Sequence, residues 1–458
     1  MEELPPFPIW EYCGYLAWSP EGNYLVFPCK SALEGPLSLF AYFLKTGEKL
    51  RLTAPSGGGD GDSDPAFSPD GRTLAFVRHT SWGIGKLHLL SLTKDMKIIG
   101  EIRSLDSGHR VVLHPTWTAD GQEIIYSAGV MGNRGLWRMR VSDPAEPRPL
   151  GFRGERILTP QMSRDGRRLI YVSAVSGVSL CRKDITSKGA SHPAVRITKS
   201  TRISTGPQFS PDGRRIAFES DLTGEFEIWT CNPDGSDTTQ VTMLRSHCSW
   251  PRWFPDGRQI IFDSNDRGNF DIYKLALGGG FPVRMTTDPA DDVTPSVSGD
   301  GRWVYFASRR TGQWQVWRMP SRGGEATQLT RNGGFEPIES ANAQLVYYLP
   351  KEQSGSAPLE LWSVLAAGGR ETKVLDSVYA RCFIPAQNGI FYTKALSASQ
   401  GGCSLQLYRF VTQTSIEVAR LEGSVAIGRI TASPDLSSFI YPQNGESNSD
   451  LMLVENFK

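Results

Sequence analysis

The sequence predicts an all-β chain assembled from about ten copies of one small antiparallel sheet. Three observations carry that expectation. A tight-turn motif recurs at nearly constant spacing along the 458 residues. Short apolar runs lie between turns, and the 3.6-residue period of helices is nearly absent.

The turn reads Ser19-Pro20-Glu21-Gly22, Ser68-Pro69-Asp70-Gly71, Thr118-Ala119-Asp120-Gly121 and Ser163-Arg164-Asp165-Gly166. It continues as Ser210-Pro211-Asp212-Gly213, Phe254-Pro255-Asp256-Gly257 and Ser298-Gly299-Asp300-Gly301. The glycines are 49, 50, 45, 47, 44 and 44 residues apart. Weaker copies follow near Ala343-Gln344, at Asn388-Gly389 and at Ser433-Pro434-Asp435-Leu436. Proline presets φ at the second position, Asp bonds back to the turn backbone, and Gly takes a positive φ without a Cβ clash.

Each repeat has the same internal order, clearest between Gly206 and Thr242. Pro207-Gln208-Phe209 is a short strand, then the turn, then Arg215–Ser220 as a second strand. Leu222-Thr223-Gly224 turns the chain into Glu225–Trp229, and Asn232–Ser236 turns it again into Thr239–Thr242. Four short strands joined by turns make one antiparallel meander. A sheet of this size cannot bury both faces alone. Stacking such sheets face to face around an axis solves that problem, and the result is a β-propeller of four-stranded antiparallel blades. The Phe, Trp, Tyr and Ile of the second and third strands are then the core between blades.

Repeats begin near residues 15, 64, 114, 159, 206, 250, 294, 336, 380 and 427, so residues 1–458 are expected to form one propeller domain. A single wide ring of about ten blades is the leading expectation, with two smaller tandem rings as the alternative. The last repeat lacks a fourth strand, and Pro8–Tyr12 is expected to supply it by pairing beside Leu451–Val454.

Composition bounds the function. Lys plus Arg is 49 and Asp plus Glu is 48, a net charge of +1 that argues against the basic footprint of nucleic-acid binding. No apolar run approaches the ~18 residues of a membrane span. The N-terminus carries no signal-peptide pattern. As written the chain reads as cytoplasmic and monomeric, or as periplasmic if it is a fragment of a membrane-anchored parent. The seven cysteines include no C-x-x-C pair, so zinc-ribbon and thioredoxin-type readings have no support.

Local catalytic motifs are absent. Gly177-Val178-Ser179 and Gly189-Ala190-Ser191 both lack the closing glycine of a nucleophile elbow. The six histidines form no metal-spaced pair. Asp60-Gly61-Asp62-Ser63-Asp64 resembles the start of a calcium loop, but the twelfth position is Gly71 rather than glutamate, so a solvated acidic turn is expected. Asp288, Asp291 and Asp292 form a second acidic loop. No cofactor and no metal are expected.

What remains is geometric. By register, Asp64, His114, Thr159, Gly206, Trp250, Thr294 and Glu336 occupy the position just before each inner strand, at one mouth of the channel. Their chemistry is mixed, and Trp250 is the candidate anchor for a docked protein or peptide.

The SPDG turns, the "IW" of the third strand and the "LT" of the fourth resemble TolB-type propeller repeats, a WD40-like group. Asn332-Gly333-Gly334-Phe335-Glu336 and the ending Ser449–Lys458 are similar to a bacterial group in which such a propeller follows a winged-helix DNA-binding domain. No winged helix precedes the first repeat here, so that resemblance implies no DNA binding for this chain. Prolyl-oligopeptidase-type peptidases carry similar propellers beside a hydrolase domain that this sequence lacks. The expected function is a non-enzymatic interaction or ligand-sensing scaffold, related to the sensory part of a bacterial regulator. The alternative is a propeller enzyme of the lactonase or cyclase kind, or the propeller part of such a peptidase.

Overall fold

A computed structural model describes residues 15–30, 35–55, 60–81, 84–130, 133–143, 146–152, 156–185, 193–352, 358–379, 381–396, 402–423, 425–426 and 428–457. It is all-β, and no helix is long and apolar enough to cross a membrane among the described residues. The chain divides into two compact units, Met1–Val175 with Ser447–Lys458, and Ser176–Glu446.

The turn motif folds as its residues dictate. In Ser210-Pro211-Asp212-Gly213 the Ser210 hydroxyl donates to Asp212 Oδ1 at 2.6 Å, and the Gly213 amide donates to the Ser210 carbonyl at 2.9 Å. Gly213 has φ 71°, the left-handed value that a Cβ would strain. The same hydroxyl–carboxylate bond recurs at Ser68–Asp70, Thr118–Asp120, Ser163–Asp165, Ser298–Asp300 and Ser433–Asp435. It holds these exposed aspartates below the ordinary carboxylate range.

The second unit is a ring of six blades. Five are consecutive meanders. The first has strands Ser204–Phe209, Ile216–Ser220, Glu227–Cys231 and Thr239–Gln240. The next has Cys248–Trp253, Gln259–Ser264, Asp271–Ala276 and Val283–Arg284. The third runs from Asp292–Val297 to Thr327–Gln328, the fourth from Phe335–Glu339 to Thr372–Val378, and the fifth from Phe383–Ala386 to Thr414–Leu421.

The sixth blade is composite. Its inner strands come from the end of the unit, Thr431–Ala432 and the start of the 18-residue strand Ser438–Glu455. Its outer strands come from the beginning, the end of the 17-residue strand Arg168–Asp184 and Val195–Arg196. This joint closes the ring. Leu180 and Ile440 of the composite blade pack with Phe209, Ile216 and Phe218 of the first, all buried, and the Thr431 hydroxyl accepts the Phe209 amide at 3.1 Å.

The expectation of a single ring of about ten blades is therefore corrected. Six wedge-shaped blades close the circle by themselves. Repeat spacing counts sheets but says nothing of where a ring shuts. The repeats near 159 and 427 also do not fold as separate meanders, because each sends a long strand into both units.

The first unit holds three four-stranded meanders. They run from Ala17–Trp18 to Lys49–Arg51, from Gly61–Phe67 to Ile98–Leu105, and from Val112–Trp117 to Arg148–Pro149. A further sheet joins Arg156–Met162 to the first half of Arg168–Asp184 and the second half of Ser438–Glu455. Leu451–Val454 lies in that last strand. Pro8–Tyr12, its expected partner, lies outside the described residues.

The second strands are buried on both faces, as sheets stacked between two neighbours must be. Phe218, Phe262 and Phe306, at equivalent places in successive second strands, are all 0% exposed and sit in the clusters between neighbouring blades. The fourth strands are only two residues long, so the third strand would lose ladder partners. The threonine that follows repairs this. The hydroxyls of Thr242, Thr286 and Thr330 accept the amides of Ile228, Ile272 and Val316 at 2.8–2.9 Å.

Two stability tests follow. Thr242→Val should cost about 1–3 kcal/mol in denaturant unfolding, since it leaves the buried Ile228 amide without its acceptor, whereas Thr242→Ser should cost little. Ile440→Ala should cost about 2–5 kcal/mol, as for any fully enclosed core residue. A cost below about 1 kcal/mol would mean that the composite blade does not meet the first.

Candidate functional site

The inner strands of the first four blades of the second unit carry a bulge at the same place. The pairing register slips between Thr205 and Gln208, Ser249 and Arg252, Val293 and Ser296, and Phe335 and Ile338. The residue at the slip precedes a proline and has a left-handed backbone. The φ values are 60° at Gly206, 53° at Trp250, 52° at Thr294 and 53° at Glu336. In the first unit they are 51° at Asp64, 52° at His114 and 49° at Thr159. A non-glycine residue in this region is strained, so the surroundings must hold it there.

These are the seven positions singled out by register in the sequence. The structure places them inside the inner strands rather than before them. Asp64, His114, Thr294 and Glu336 are buried, and Thr159 and Trp250 are half-buried. Their expected place before each strand is corrected accordingly: the bulge sets these residues within the strand, buried or half-buried. They also fall into two groups, because Asp64, His114 and Thr159 belong to the first unit and Trp250, Thr294 and Glu336 to the second.

In the second unit, carboxylates hold the strained bulges. Glu219 Oε2 accepts the Trp250 amide at 2.8 Å, and Asp263 Oδ2 accepts the Thr294 amide at 2.6 Å. Each acid comes from the second strand of one blade and each amide from the inner strand of the next. Asp263 also accepts the Ser249 hydroxyl. Burial pushes the Glu219 carboxyl up to about 8 and that of Asp263 to about 7, against the opposing pull of these amides and of Arg429.

Around Trp250 stand three arginines. The Arg429 guanidinium lies 5.0 Å from its ring centroid and that of Arg381 lies 6.0 Å away. Arg429 Nε donates to Glu336 Oε1 at 3.0 Å, an ion pair in which both side chains are at most 3% exposed. Arg252, two residues after Trp250, is 9% exposed and makes no side-chain hydrogen bond among the described residues. Burial and the nearby Arg429 charge hold its pKa well below the usual arginine value. The arrangement can hold an anion, stack a planar group on Trp250, and keep protons on two buried acids near neutrality.

Sequence reasoning missed Glu219, Asp263, Arg252, Arg381 and Arg429. The signal for the two acids was present, since each is the lone charge of its second strand and directly follows a three-residue apolar run, in Ile216–Ser220 and Gln259–Ser264. The arginines carried no comparable mark.

The first unit holds a different cluster. The His114 ring packs edge-on against Tyr15, with centroids 4.4 Å apart, and its Nε2 lies 4.0 Å from Asp64 Oδ1. The Ser63 hydroxyl lies 2.9 Å from His79 Nε2. Burial raises Asp64 to about 7 and lowers His79 to about 4 and His114 to about 3. The acidic turn expected at Asp60–Asp64 is in fact largely an inner strand, Gly61–Phe67, with Asp62 bound to Arg78 at 2.6 and 2.8 Å. In the second unit, the acidic loop expected at Asp288–Asp292 is likewise engaged, with Asp292 at 2.8 Å from Arg310.

The raised acids set a pH dependence. A carboxyl that titrates higher in the folded state than in the unfolded one binds more protons when folded, so its contribution to stability declines as pH rises between those two values. For Glu219 that window runs from the ordinary 4.5 to about 8. The melting temperature should therefore fall from pH 5 to pH 8, and Glu219→Gln, which keeps an acceptor for Trp250, should flatten the fall. An unchanged slope in that variant would refute the assignment.

Residues 237–400 match the family described as the TolB beta propeller domain, PD40. Among curated proteins, a stretch covering 38% of this chain is 33% identical to 42% of the Tol-Pal system protein TolB of Anaeromyxobacter dehalogenans. Another covering 41% is 28% identical to 25% of the uncharacterized peptidase YuxL of Bacillus subtilis. The chain thus spans well under half the length of these relatives. The solved structure of TolB from Acinetobacter baumannii aligns over 78% of this chain and 83% of its own at 18% identity, with a TM-score of 0.35, a likeness too distant to add to the family match. Within the second unit, residues 237–400 are therefore similar to TolB-like PD40 β-propeller domains, and parts of the chain are similar in sequence to a Tol-Pal TolB protein and to a peptidase.

Proposed function

We propose that the chain is a non-enzymatic binding scaffold that receives a protein or peptide partner at the centre of its six-bladed ring. The observation that carries this reading is Trp250, a half-buried ring with two guanidiniums 5.0 and 6.0 Å from its centroid, on a backbone that is strained for any residue but glycine. Strain held in place by a buried acid gives a rigid side chain, and a rigid aromatic loses little entropy on binding. The similarity to Tol-Pal TolB agrees with an interaction role. The kinship with winged-helix regulators rests on the repeat and terminal resemblance alone.

A second reading has one specific support. The similarity to a peptidase makes this the propeller portion of a hydrolytic enzyme, or an enzyme using Glu219 and Asp263 as buried acids. One experiment separates the two. Peptides selected from a display library on the full chain are tested for binding and for cleavage. The scaffold reading expects them to be recovered intact, with Trp250→Ala weakening binding by about 30-fold. Cleavage that disappears in Asp263→Asn would establish the enzyme instead.

A further inference from the structure

The centre of the six-bladed ring holds more positive charge than it neutralises. Three arginines, Arg252, Arg381 and Arg429, stand there with Glu336, which binds Arg429 through Oε1 and Nε only. Among the described residues, Arg429 Nη1 and Nη2 are buried without a hydrogen-bond partner, as is Arg252 Nε. Glu336 Oε2 and Thr294 Oγ1 are likewise buried and unpartnered. Arg381 differs, since it has interactions of its own and lies 3.8 Å from Glu352. Burial favours the protonated forms of Glu219 and Asp263, which reduces the negative charge they bring near neutrality.

A buried guanidinium with unmet donors is costly, and leaving one there without a counter-charge is costlier still. Proteins avoid this in cores but keep it where a ligand completes the bonding. We propose that the ring centre is a carboxylate-binding site, in which the guanidiniums of Arg252 and Arg429 take the anion and the Trp250 face takes the group that carries it. The proposal rests on the reading of this centre as a binding site and names the chemistry of what binds.

A carboxylate carried on an organic chain fits better than phosphate. Guanidinium forks suit both, but only the carboxylate brings a group for the half-buried Trp250 ring, which offers an apolar surface to the chain behind the anion. A peptide C-terminus and a small free carboxylic acid share this chemistry.

The two equivalent grooves between turn-bearing blade edges, of about 720 and 710 Å³, carry no such signal. One is lined by Asp212, Arg215, Asp256 and neighbouring turn residues, the other by Asp70, Glu101, Arg103 and Asp120. They recur in register because wedge-shaped sheets splay outward.

The test uses the full chain, with thermal unfolding and calorimetric titration at fixed ionic strength. The probes are succinate, acetyl-Gly-Gly-Phe with a free C-terminus, the same peptide as its C-terminal amide, and inorganic phosphate, with sodium chloride as the reference. Succinate or the free-acid peptide should raise the melting temperature above the chloride reference, and the amide should not. Protection by the peptide alone assigns the site to chain termini, and protection by succinate alone assigns it to small acids.

Arg252→Gln should abolish the effect while leaving the protein as stable as the parent or more so, because it removes an unpartnered buried charge. Arg252→Lys should retain the fold and weaken binding at least tenfold. The proposal is overturned if neither carboxylate exceeds chloride, if phosphate exceeds both, or if the Arg252→Gln protein responds as the parent does. Protection by succinate together with no selectable peptide would remove the scaffold reading and leave the carboxylate site standing. Selectable peptides that bind equally with and without a free carboxylate would do the reverse.

Discussion

A buried carboxylate on one blade that binds the amide of a strained residue on the next is the interaction on which the ring centre depends. Glu219 does this for Trp250 and Asp263 for Thr294. Without such an acceptor, the bulge would leave an amide unbonded in the interior, a cost comparable to losing a buried hydrogen bond. With it, the left-handed backbone at Trp250 and Thr294, each just before a proline, is affordable. The acid also couples neighbouring blades by a polar bond near the axis, where the apolar clusters between sheets give way to charge.

That coupling has an electrostatic consequence. Holding acids in low dielectric raises their pKa values, and this in turn weakens the negative charge set against Arg429. The same residues therefore brace the ring and set the sign of what can enter it. Fold and site are not separate layers here: the bulge that shapes the inner strand is also what presents Trp250, Thr294 and Glu336.

Much of this was legible in the sequence, and for definable reasons. Turns such as Ser210–Gly213 are encoded locally, by proline, a bonding aspartate and a glycine with positive φ, so they could be placed to the residue. The Phe218, Phe262 and Phe306 series could be assigned to the core because sheets stacked face to face must bury the aromatics of their second strands. Register alone led to the bulge positions, since each is followed by proline, although not to their place within a strand. Ring closure was illegible. It depends on two long strands, Arg168–Asp184 and Ser438–Glu455, that each pass from one unit to the other, and nothing in the repeat spacing marks that exchange. Arg252, Arg381 and Arg429 were equally hidden, because they reach the centre from different blades and no local pattern joins them.

The account stands most directly on the Glu219–Trp250 bond. Selective 15N-tryptophan labelling of the full chain, with the Trp250 backbone amide assigned by its loss in Trp250→Phe, reports that bond by its proton shift. The shift should titrate with a midpoint near 8, the value to which burial raises Glu219, and the titration should vanish in Glu219→Gln. An amide signal that stays flat from pH 5 to pH 9, or that titrates unchanged in the variant, would contradict the arrangement.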